Sequence, residues 1–219
     1  MILALSGSTD YFSLAVFSPE YQLLGEFGIF THKLQKWGIL AVENLLKTVE
    51  IELRELKIIA VDSGPGKFTG LRIAVALAKT LAFTLNLPMS EYSSLDLIHS
   101  QVLSQKQKTL VALDGKQGRV FAKMYDPDAS DSPIYDWEPD LLLKRMQENN
   151  FTPHYTLGDG FQAYTALKDL VTPQSRSFSP YPKASFVYPG APFLSYEQVN
   201  PRYYRKTQAE EAKDARSGH

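Results

Sequence analysis

The feature that most restricts the fold of this chain is a strand, a glycine-rich loop and a helix in direct succession between residues 58 and 85. Residues 58–62 (IIAVD) form an unbroken apolar run of the kind that is buried on both faces in a parallel sheet. After the loop 63–70 (SGPGKFTG), a helix is expected over 71–85, with only Arg72 and Lys79 charged. A helix that is apolar nearly all round must be covered on more than one side. This unit therefore predicts an α/β fold with a parallel sheet.

The residues before this unit predict an antiparallel meander followed by an amphipathic helix. Three runs at 2–6, 12–17 and 23–30 carry the apolar, aromatic and β-branched residues that suit strands, and short polar turns separate them. From Leu34 to Val49 the apolar residues follow the helical period, and Thr31 is the expected N-cap. A strand at 89–92 and a helix from Ser94, its expected cap, to about residue 103 complete the first half.

The second half repeats this order of elements in a weaker form. Strands are expected at 109–114, 119–125 and 134–137, then a helix at 138–147, a strand at 155–158 and a helix at 160–170. Proline punctuates 172–201, which indicates irregular structure. Two successive βββαβα units predict two similar lobes, residues 1–105 and a degraded copy at 106–204, followed by a charged tail at 205–219 that is expected to be disordered.

The amino-acid composition excludes several kinds of functional site. The chain has no cysteine, so disulfides, thiolate nucleophiles, thiolate zinc sites and iron–sulfur clusters are excluded. Its four histidines lie far apart in sequence and form no metal-binding pair, so no metal site is expected. Lys and Arg number 23 against 24 Asp and Glu, which gives no overall attraction to nucleic acid or anionic lipid. Neither a targeting segment nor a membrane span is evident, and a cytoplasmic protein is expected.

The glycine-rich loop matches neither of the two best-known phosphate-binding patterns. A Walker A loop has the spacing G-x-x-x-x-G-K-[ST], and here the glycine at the sixth position is missing and Lys67 precedes the helix start. The dinucleotide fingerprint has one residue fewer between its glycines. Pro65 also removes an amide donor where a phosphate loop needs one. The favoured interpretation is a tight turn from strand to helix, in which Gly70 allows close packing.

Two polar hairpins and one glycine turn suggest a vestigial nucleotide site. Hairpins of this kind face each other across the cleft of two-lobed phosphotransferases, and a glycine turn at a strand end receives the adenosine. Small polar residues are also what hairpins require, so a purely structural role stays open. Asp62 and Asp114 each end a buried strand, where an acid–base pair or a capping role is possible. The residues of this candidate site are Ser6, Gly7, Ser8, Asp114, Gly115, Gly158 and Gly160.

The segment 201–206 (PRYYRK) mixes aromatic residues with cations, as RNA-binding segments do. Docking of this arm on the body of the protein is the favoured alternative, given the overall charge.

Several segments resemble one bacterial family, the tRNA threonylcarbamoyladenosine biosynthesis protein B (TsaB/YeaZ) family. Residues 63–73 (SGPGKFTGLRI) resemble its GPGSFTGLRI signature, and the opening ILALSGST resembles its LAIDTST start. Residues 112–121 (ALDGKQGRVF) resemble its A-x-DARRGEVY hairpin, and LGDG at 157–160 its VGDG turn. The signature positions present here are Gly64, Pro65, Gly66, Phe68, Thr69, Gly70 and Arg72.

The resemblance implies a two-lobed actin/Hsp70-like (ASKHA) fold and a role in modifying the adenosine beside the anticodon. Such a chain is a degenerate, glycoprotease-like relative of the metal-bearing catalytic subunit (TsaD type), with which it forms a heterodimer, while alone it forms a homodimer. An ATPase subunit (TsaE type) joins the assembly, and tRNA is contacted indirectly through the complex. No cofactor is required by this chain, although ATP or ADP could bind at the complex interface. Ser6 stands where the family usually has Asp, which argues against nucleotide hydrolysis.

The two unusually apolar helices are the expected surface for these partners. An interface of roughly 800 Å² per partner is typical of a stable complex. The residues expected to contribute are Trp37, Leu40, Leu71, Val75 and Leu81. Two other functions stay open: an ATP-dependent small-molecule kinase or ATPase on the same fold and, least favoured, a metallopeptidase.

Overall fold

The first lobe is a five-stranded sheet covered by helices on both faces. A computed structural model describes residues 1–102, 106–129 and 132–205 of the chain. The strand order is β3-β2-β1-β4-β5, in which β1, β2 and β3 are antiparallel and β1, β4 and β5 are parallel. Two helices, α1 and α2, pack on one face, and α3 packs on the other. The elements are β1 (Ile2–Ser6), β2 (Tyr11–Phe17), β3 (Leu23–Phe30), α1 (Leu34–Thr48), β4 (Ile58–Gly64), α2 (Phe68–Leu85), β5 (Met89–Ser93) and α3 (Ser94–His99).

The second lobe repeats this topology around a smaller sheet. Its strand order is β8-β7-β6-β9, with the inner strand β6 antiparallel to β7 and parallel to β9, as β1 is to β2 and β4. Among the described residues, it has no counterpart of β5. The two sheets confirm the predicted α/β fold of actin/Hsp70-like type, with the second unit reduced. Its elements are β6 (Thr109–Lys116), β7 (Arg119–Tyr125), β8 (Tyr135–Trp137), α4 (Pro139–Glu148), β9 (Tyr155–Leu157) and α5 (Gly160–Ala163).

Three local predictions about helix ends were wrong. Lys33, not Thr31, is the N-cap of α1, because the Thr31 hydroxyl accepts a hydrogen bond from the Lys33 amide (3.0 Å) and stabilises the bend before the helix. The cap of α3 is Ser93, whose hydroxyl accepts from the Leu95 amide, and the helix ends at His99. The predicted end near residue 103 lies outside the described residues. The helix predicted over 160–170 breaks at Tyr164, whose backbone is extended, and continues as a 3₁₀ helix (Thr165–Leu170).

The C-terminal stretch returns to the first lobe, although the sequence assigns it to the second. The Ala184 amide donates to the Ser13 hydroxyl on β2 (2.8 Å), and Leu194 pairs with Met89 at the start of β5. Val199 is fully buried in the core beneath α1 and α2. The physical reason is that the two sheet faces and α2 expose more apolar surface than the first lobe's own helices cover.

Among the described residues, one helix, α2, is long and apolar enough to cross a membrane. Its residues Leu71, Ala74, Val75 and Ala78 are buried against the rest of the chain, where α2 packs on β4. The helix therefore packs one of its faces into the core of the first lobe.

Candidate functional site

The first cluster that the structure brings together is built around a fully buried carboxylate, Asp62. This residue lies near the end of β4, and its Oδ2 accepts hydrogen bonds from the hydroxyls of Ser6 (2.7 Å) and Ser8 (2.5 Å). Its Oδ1 accepts from the Ser94 hydroxyl (2.6 Å) and the Gly64 amide (3.0 Å). Asp62 thus joins the β1–β2 turn, the β4–α2 loop and α3.

Burial raises the pKa of Asp62, and the donors from Ser8, Ser94, Ser6 and Gly64 only partly oppose that rise. Both oxygens of this buried carboxyl accept hydrogen bonds from the protein, and no substrate atom could reach them. The role of Asp62 is therefore structural. The Ser6 hydroxyl, expected at a vestigial nucleotide site, is used in this cluster. The alternative acid–base pair with Asp114 is not formed, since the hydrogen-bond partners of Asp62 lie in the first lobe and those of Asp114 in the second.

The glycine-rich loop is fixed against the β1–β2 turn by contacts between backbones. The Lys67 amide donates to the Ser8 carbonyl (2.6 Å). A Cβ atom at Gly66 would overlap that same carbonyl, and one at Gly70 would overlap the carbonyl of Gly7. Both glycines are therefore required by close approach of two chain segments, which agrees with the interpretation of this loop as a tight strand-to-helix turn.

A charged cleft separates the two hairpins. On the first-lobe side, the Asp10 carboxylate forms an ion pair with Lys67, and its Oδ1 lies 3.2 Å from the His32 Nδ1. On the second-lobe side, the Asp114 carboxylate pairs with Lys116 and accepts from the Tyr164 hydroxyl (2.8 Å). Sequence reasoning missed Lys67, Lys116 and Asp159. Their adjacency to turn glycines was the only available signal.

The electrostatics of these groups indicate that the hairpins face each other. The hydrogen bond from Lys116 to Asp114 raises the lysine pKa, and the carboxylates of Asp159 and Asp10 add to that rise. Burial chiefly raises the pKa of Asp159, while Lys116 and Lys67 oppose it. Burial, together with the hydrogen bond to Asp114, raises the pKa of Tyr164 to about 12, so this hydroxyl is protonated at neutral pH. Charges on the two hairpins are therefore close enough to affect one another.

Backbone amides that could cradle a phosphate are instead used inside the protein. The Asp114 amide donates to Asp159 Oδ1 (2.8 Å), and the Lys116 amide donates to Asp114 Oδ1 (2.8 Å). In the first hairpin, the Tyr11 amide donates to the Thr9 hydroxyl (3.2 Å). Three carboxylates line the cleft as well. These three amides are therefore not free to bind the phosphates of a nucleoside triphosphate, which needs unpaired donors.

The glycine turn of the second lobe is closed by packing. A Cβ at Gly158 would overlap the Ala112 carbonyl of β6, and one at Gly160 would approach the same oxygen to 2.9 Å. Gly115 lies similarly close to the Arg119 carbonyl (3.0 Å). Close packing thus accounts for these three members of the candidate nucleotide site. Within the described ranges, no group of three or more His, Asp or Glu side chains is placed to hold a metal ion.

The C-terminal arm docks across both lobes. The Arg202 amide donates to the Ser63 carbonyl (2.8 Å), and the Arg72 Nε donates to the Tyr203 hydroxyl (2.7 Å). Arg205 was assigned by sequence to the charged tail. Its guanidinium group instead forms a bidentate ion pair with the Asp136 carboxylate, with N–O distances of 2.8 and 2.9 Å. The rest of the predicted tail, 206–219, lies outside the described residues. The favoured interpretation of the arm as a docked segment agrees with these contacts, which occupy its aromatic rings and guanidinium groups.

The residues proposed for a partner interface divide into two groups. Trp37 and Leu40 on α1 are each 45% exposed, so both are accessible. Leu71, Val75 and Leu81 on α2 are buried within the chain, and their assignment to an interface was wrong. The cause is that α1, β4 and the C-terminal stretch together cover the face of α2 on which these three residues lie.

Comparison with known proteins gives consistent matches. Residues 30–131 match the model of a family described as TsaD: tRNA N6-adenosine threonylcarbamoyltransferase. The chain is 26% identical over 213 residues to the tRNA threonylcarbamoyladenosine biosynthesis protein TsaB of Buchnera aphidicola (subsp. Schizaphis graminum), covering 92% of this chain and 96% of that protein. It is 27% identical to TsaB of Escherichia coli, covering 76% and 74%. YeaZ from Pseudomonas aeruginosa superposes with a TM-score of 0.70 at 20% identity, covering 92% and 98%.

Proposed function

We propose that this chain, which belongs to the TsaB/YeaZ family of tRNA threonylcarbamoyladenosine biosynthesis proteins, is the non-catalytic partner subunit for threonylcarbamoylation of the adenosine 3′-adjacent to the anticodon in tRNA. In this role it forms a heterodimer with the catalytic, TsaD-type subunit and supports its activity, and a TsaE-type ATPase subunit joins the assembly. It contacts tRNA only through the complex. Alone, it forms a homodimer.

The single observation that carries the non-catalytic role is the internal use of the cleft donors. Amides of Asp114 and Lys116 bond to carboxylates of the same lobe, and Lys67 and Lys116 are paired with Asp10 and Asp114. A phosphotransferase needs such donors free to stabilise charge that develops on the transferred group. This arrangement supports a chain that requires no cofactor and disfavours the alternative small-molecule kinase. Any ATP or ADP of the assembly would then lie at the interface with the catalytic subunit.

The partner surface is the exposed apolar part of α1 with the neighbouring end of α2. Trp37, Ile39 and Leu40 on α1 are 45–54% exposed, and Phe83 on α2 is 64% exposed. Exposed clusters of large apolar residues commonly mark a protein interface. Trp37 and Leu40 are the best candidates for anchors, because truncating them leaves the core of the lobe intact.

The deciding experiment reconstitutes the tRNA reaction from the catalytic subunit, the ATPase subunit and a supply of threonylcarbamoyl-adenylate. We expect modified tRNA to form only when this chain is added. The double variant Trp37→Asp/Leu40→Asp should fold but reduce the rate at least tenfold, because it places charge in an apolar interface. Modified adenosine is measured by mass spectrometry of digested tRNA.

Leu141→Asp is the matched control, since Leu141 is 36% exposed on α4 of the second lobe. It should leave the reaction unchanged. A reaction that proceeds equally well without the chain would refute the proposal. Turnover of ATP by the purified chain alone would favour the kinase instead.

A further inference from the structure

The outermost strand of the first sheet, β3, is unusually exposed and apolar. It pairs with β2 on one side only, and in the described part of the chain no strand pairs with its other side. Leu23, Leu24, Phe27, Ile29 and Phe30 are 38–61% exposed, and Glu26 is the one charged residue in the strand. Edge strands of this length usually carry lysine or proline that prevents pairing with another chain. β3 carries neither.

The register with β2 shows which backbone groups of β3 point outward. The Thr31 amide donates to the Asp10 carbonyl (2.9 Å), and the pairing continues as Phe30 with Tyr11 and Ile29 with Phe12. Along an antiparallel strand, successive residues direct their amide and carbonyl groups alternately toward the paired strand and away from it. The amide and carbonyl groups of Glu26, Gly28 and Phe30 therefore point away from β2. An irregularity opposite Val16 and Phe17 confines the regular edge to residues 25–30.

We propose that a second copy of this chain pairs antiparallel with β3, with the two-fold axis at Phe27. The two Phe27 side chains then lie opposite each other on the face that carries α1. Glu26 of each copy lies opposite Gly28 of the other, and Gly25 lies opposite Ile29. The central Glu26–Gly28 pairs form about four hydrogen bonds between the copies.

Shape and charge favour this occupant and this register. A two-fold axis perpendicular to the sheet keeps each face continuous and places one residue of the edge opposite itself, so Glu26, Phe27 and Gly28 are the central choices. An axis at Gly28 would place each Glu26 opposite the bulky Phe30. An axis at Glu26 would place two carboxylates opposite each other, which is destabilising. An axis at Phe27 instead places each of the bulkier Glu26 and Ile29 side chains opposite a glycine. The strand is thus complementary to itself, as an isologous interface requires.

The Tyr11 hydroxyl supplies a partner for the incoming carboxylate. It lies directly over Gly28, where a Cβ would overlap it, and it donates no hydrogen bond within the described residues. Burial, and then the nearby Glu26, raise the pKa of Tyr11, so the hydroxyl keeps its proton at neutral pH. In the proposed pairing, it faces the second copy's Glu26.

This interface uses the backbone edge of the sheet and leaves Trp37 and Leu40 on α1 free. It therefore goes beyond the proposed function, and its test needs neither the catalytic subunit nor tRNA. The background is the Trp37→Asp/Leu40→Asp chain, which cannot form a homodimer through the helices. We expect this chain to sediment as a dimer at tens of micromolar concentration.

Adding Glu26→Pro should convert that dimer into a monomer, because proline removes an outward amide while the bonds to β2 remain. Glu26→Thr is the matched control and should remain dimeric. A circular dichroism spectrum equal to that of the parent establishes that the proline variant is folded. A monomeric parent, or a folded proline variant that is still dimeric, would overturn the proposal.

Disulfide trapping tests the register itself, since the chain contains no cysteine. In a pair without mutual hydrogen bonds, opposite Cβ atoms lie roughly 5 Å apart. Phe27→Cys should therefore form a covalent dimer under mild oxidation, whereas Ile29→Cys, which faces Gly25 of the second copy, should not. Equal trapping at both positions, or none at Phe27, would contradict the register.

Discussion

At the scale of single residues, Asp62 shows how one buried charge can organise a lobe. Its carboxylate accepts four hydrogen bonds from three chain segments that are distant in sequence. Buried carboxylates are tolerated where every oxygen is satisfied, and removal of the acceptor leaves the donors unpaired. Asp62 therefore stabilises the geometry of the turn and of the glycine-rich loop beside it.

Asp62→Ala should lower the free energy of unfolding by about 3 kcal/mol, because three buried hydroxyls lose their acceptor. Asp169→Ala, at an exposed position, is the matched control and should change stability by less than about 0.5 kcal/mol. Urea unfolding followed by fluorescence measures both. Equal stability of the two variants would show that Asp62 does not organise the lobe.

At the scale of elements, the sequence predicts the strands well and the environment of the helices poorly. The strands β1 and β3 have the predicted ends, because apolar runs bounded by turn residues are local signals. By contrast, the segments that cover α2 are distant from it in sequence, so no local signal identifies them. Its even apolar character shows that two sides are covered, but only the folded chain reveals that Leu194, Tyr196 and Val199 cover one of them. The predicted interface residues Leu71, Val75 and Leu81 were wrong for that reason.

The candidate site follows the same division. The glycines of the β4–α2 loop were predicted to serve a tight turn, and the overlap at Gly66 and Gly70 explains them. The use of the Ser6 hydroxyl by Asp62 could not be predicted, because the two residues are 56 positions apart and neither carries a local signal of pairing. Ion pairs across a turn, such as that of Lys67 with Asp10, depend equally on tertiary structure.

The contact between the docked arm and Asp136 predicts how the stability of the folded protein changes at acidic pH. Burial raises the pKa of Asp136, but hydrogen bonds from Arg205 and Arg119 outweigh this and hold the pKa below its ordinary value of 3.8. A depressed carboxyl pKa stabilises the folded state above pH 3.8, and this contribution is lost as the pH falls through the lower, folded-state value. Arg205→Ala should cost about 1–2 kcal/mol at pH 7, and the difference from the parent should shrink at pH 3.

Arg176→Ala is the matched control, because Arg176 is an exposed arginine of the same C-terminal stretch. Its effect should be small at both pH values. Chemical unfolding at pH 7 and pH 3 provides the comparison. A cost of Arg205→Ala that is the same at both pH values would argue against an ion pair with Asp136.

At the scale of the whole molecule, the two lobes are joined as much by the C-terminal stretch as by the cleft. This stretch contributes buried residues to the first lobe (Ala184, Val187 and Val199), and Arg205 then contacts the second lobe. The first lobe is consequently incomplete when assembled from residues 1–102 alone.

A chain ended after Val171 should therefore fail to unfold cooperatively, because the first sheet loses the cover of one face. A chain ended after Arg205 keeps every contact described and is the matched control. Near-ultraviolet circular dichroism and thermal unfolding distinguish them. A sharp transition in the shorter chain would show that the lobe folds without its cover.

The return of the C-terminal stretch to β2 and β5 also sets an order of events during translation. The strands of the first lobe leave the ribosome early, whereas Ala184, Val187 and Val199, which cover them, emerge only after the second lobe. Until then, the nascent first lobe presents an incompletely covered apolar sheet face to its surroundings. Closure of the first lobe therefore waits for the C-terminal stretch, and this interval is when a chaperone has access to the chain.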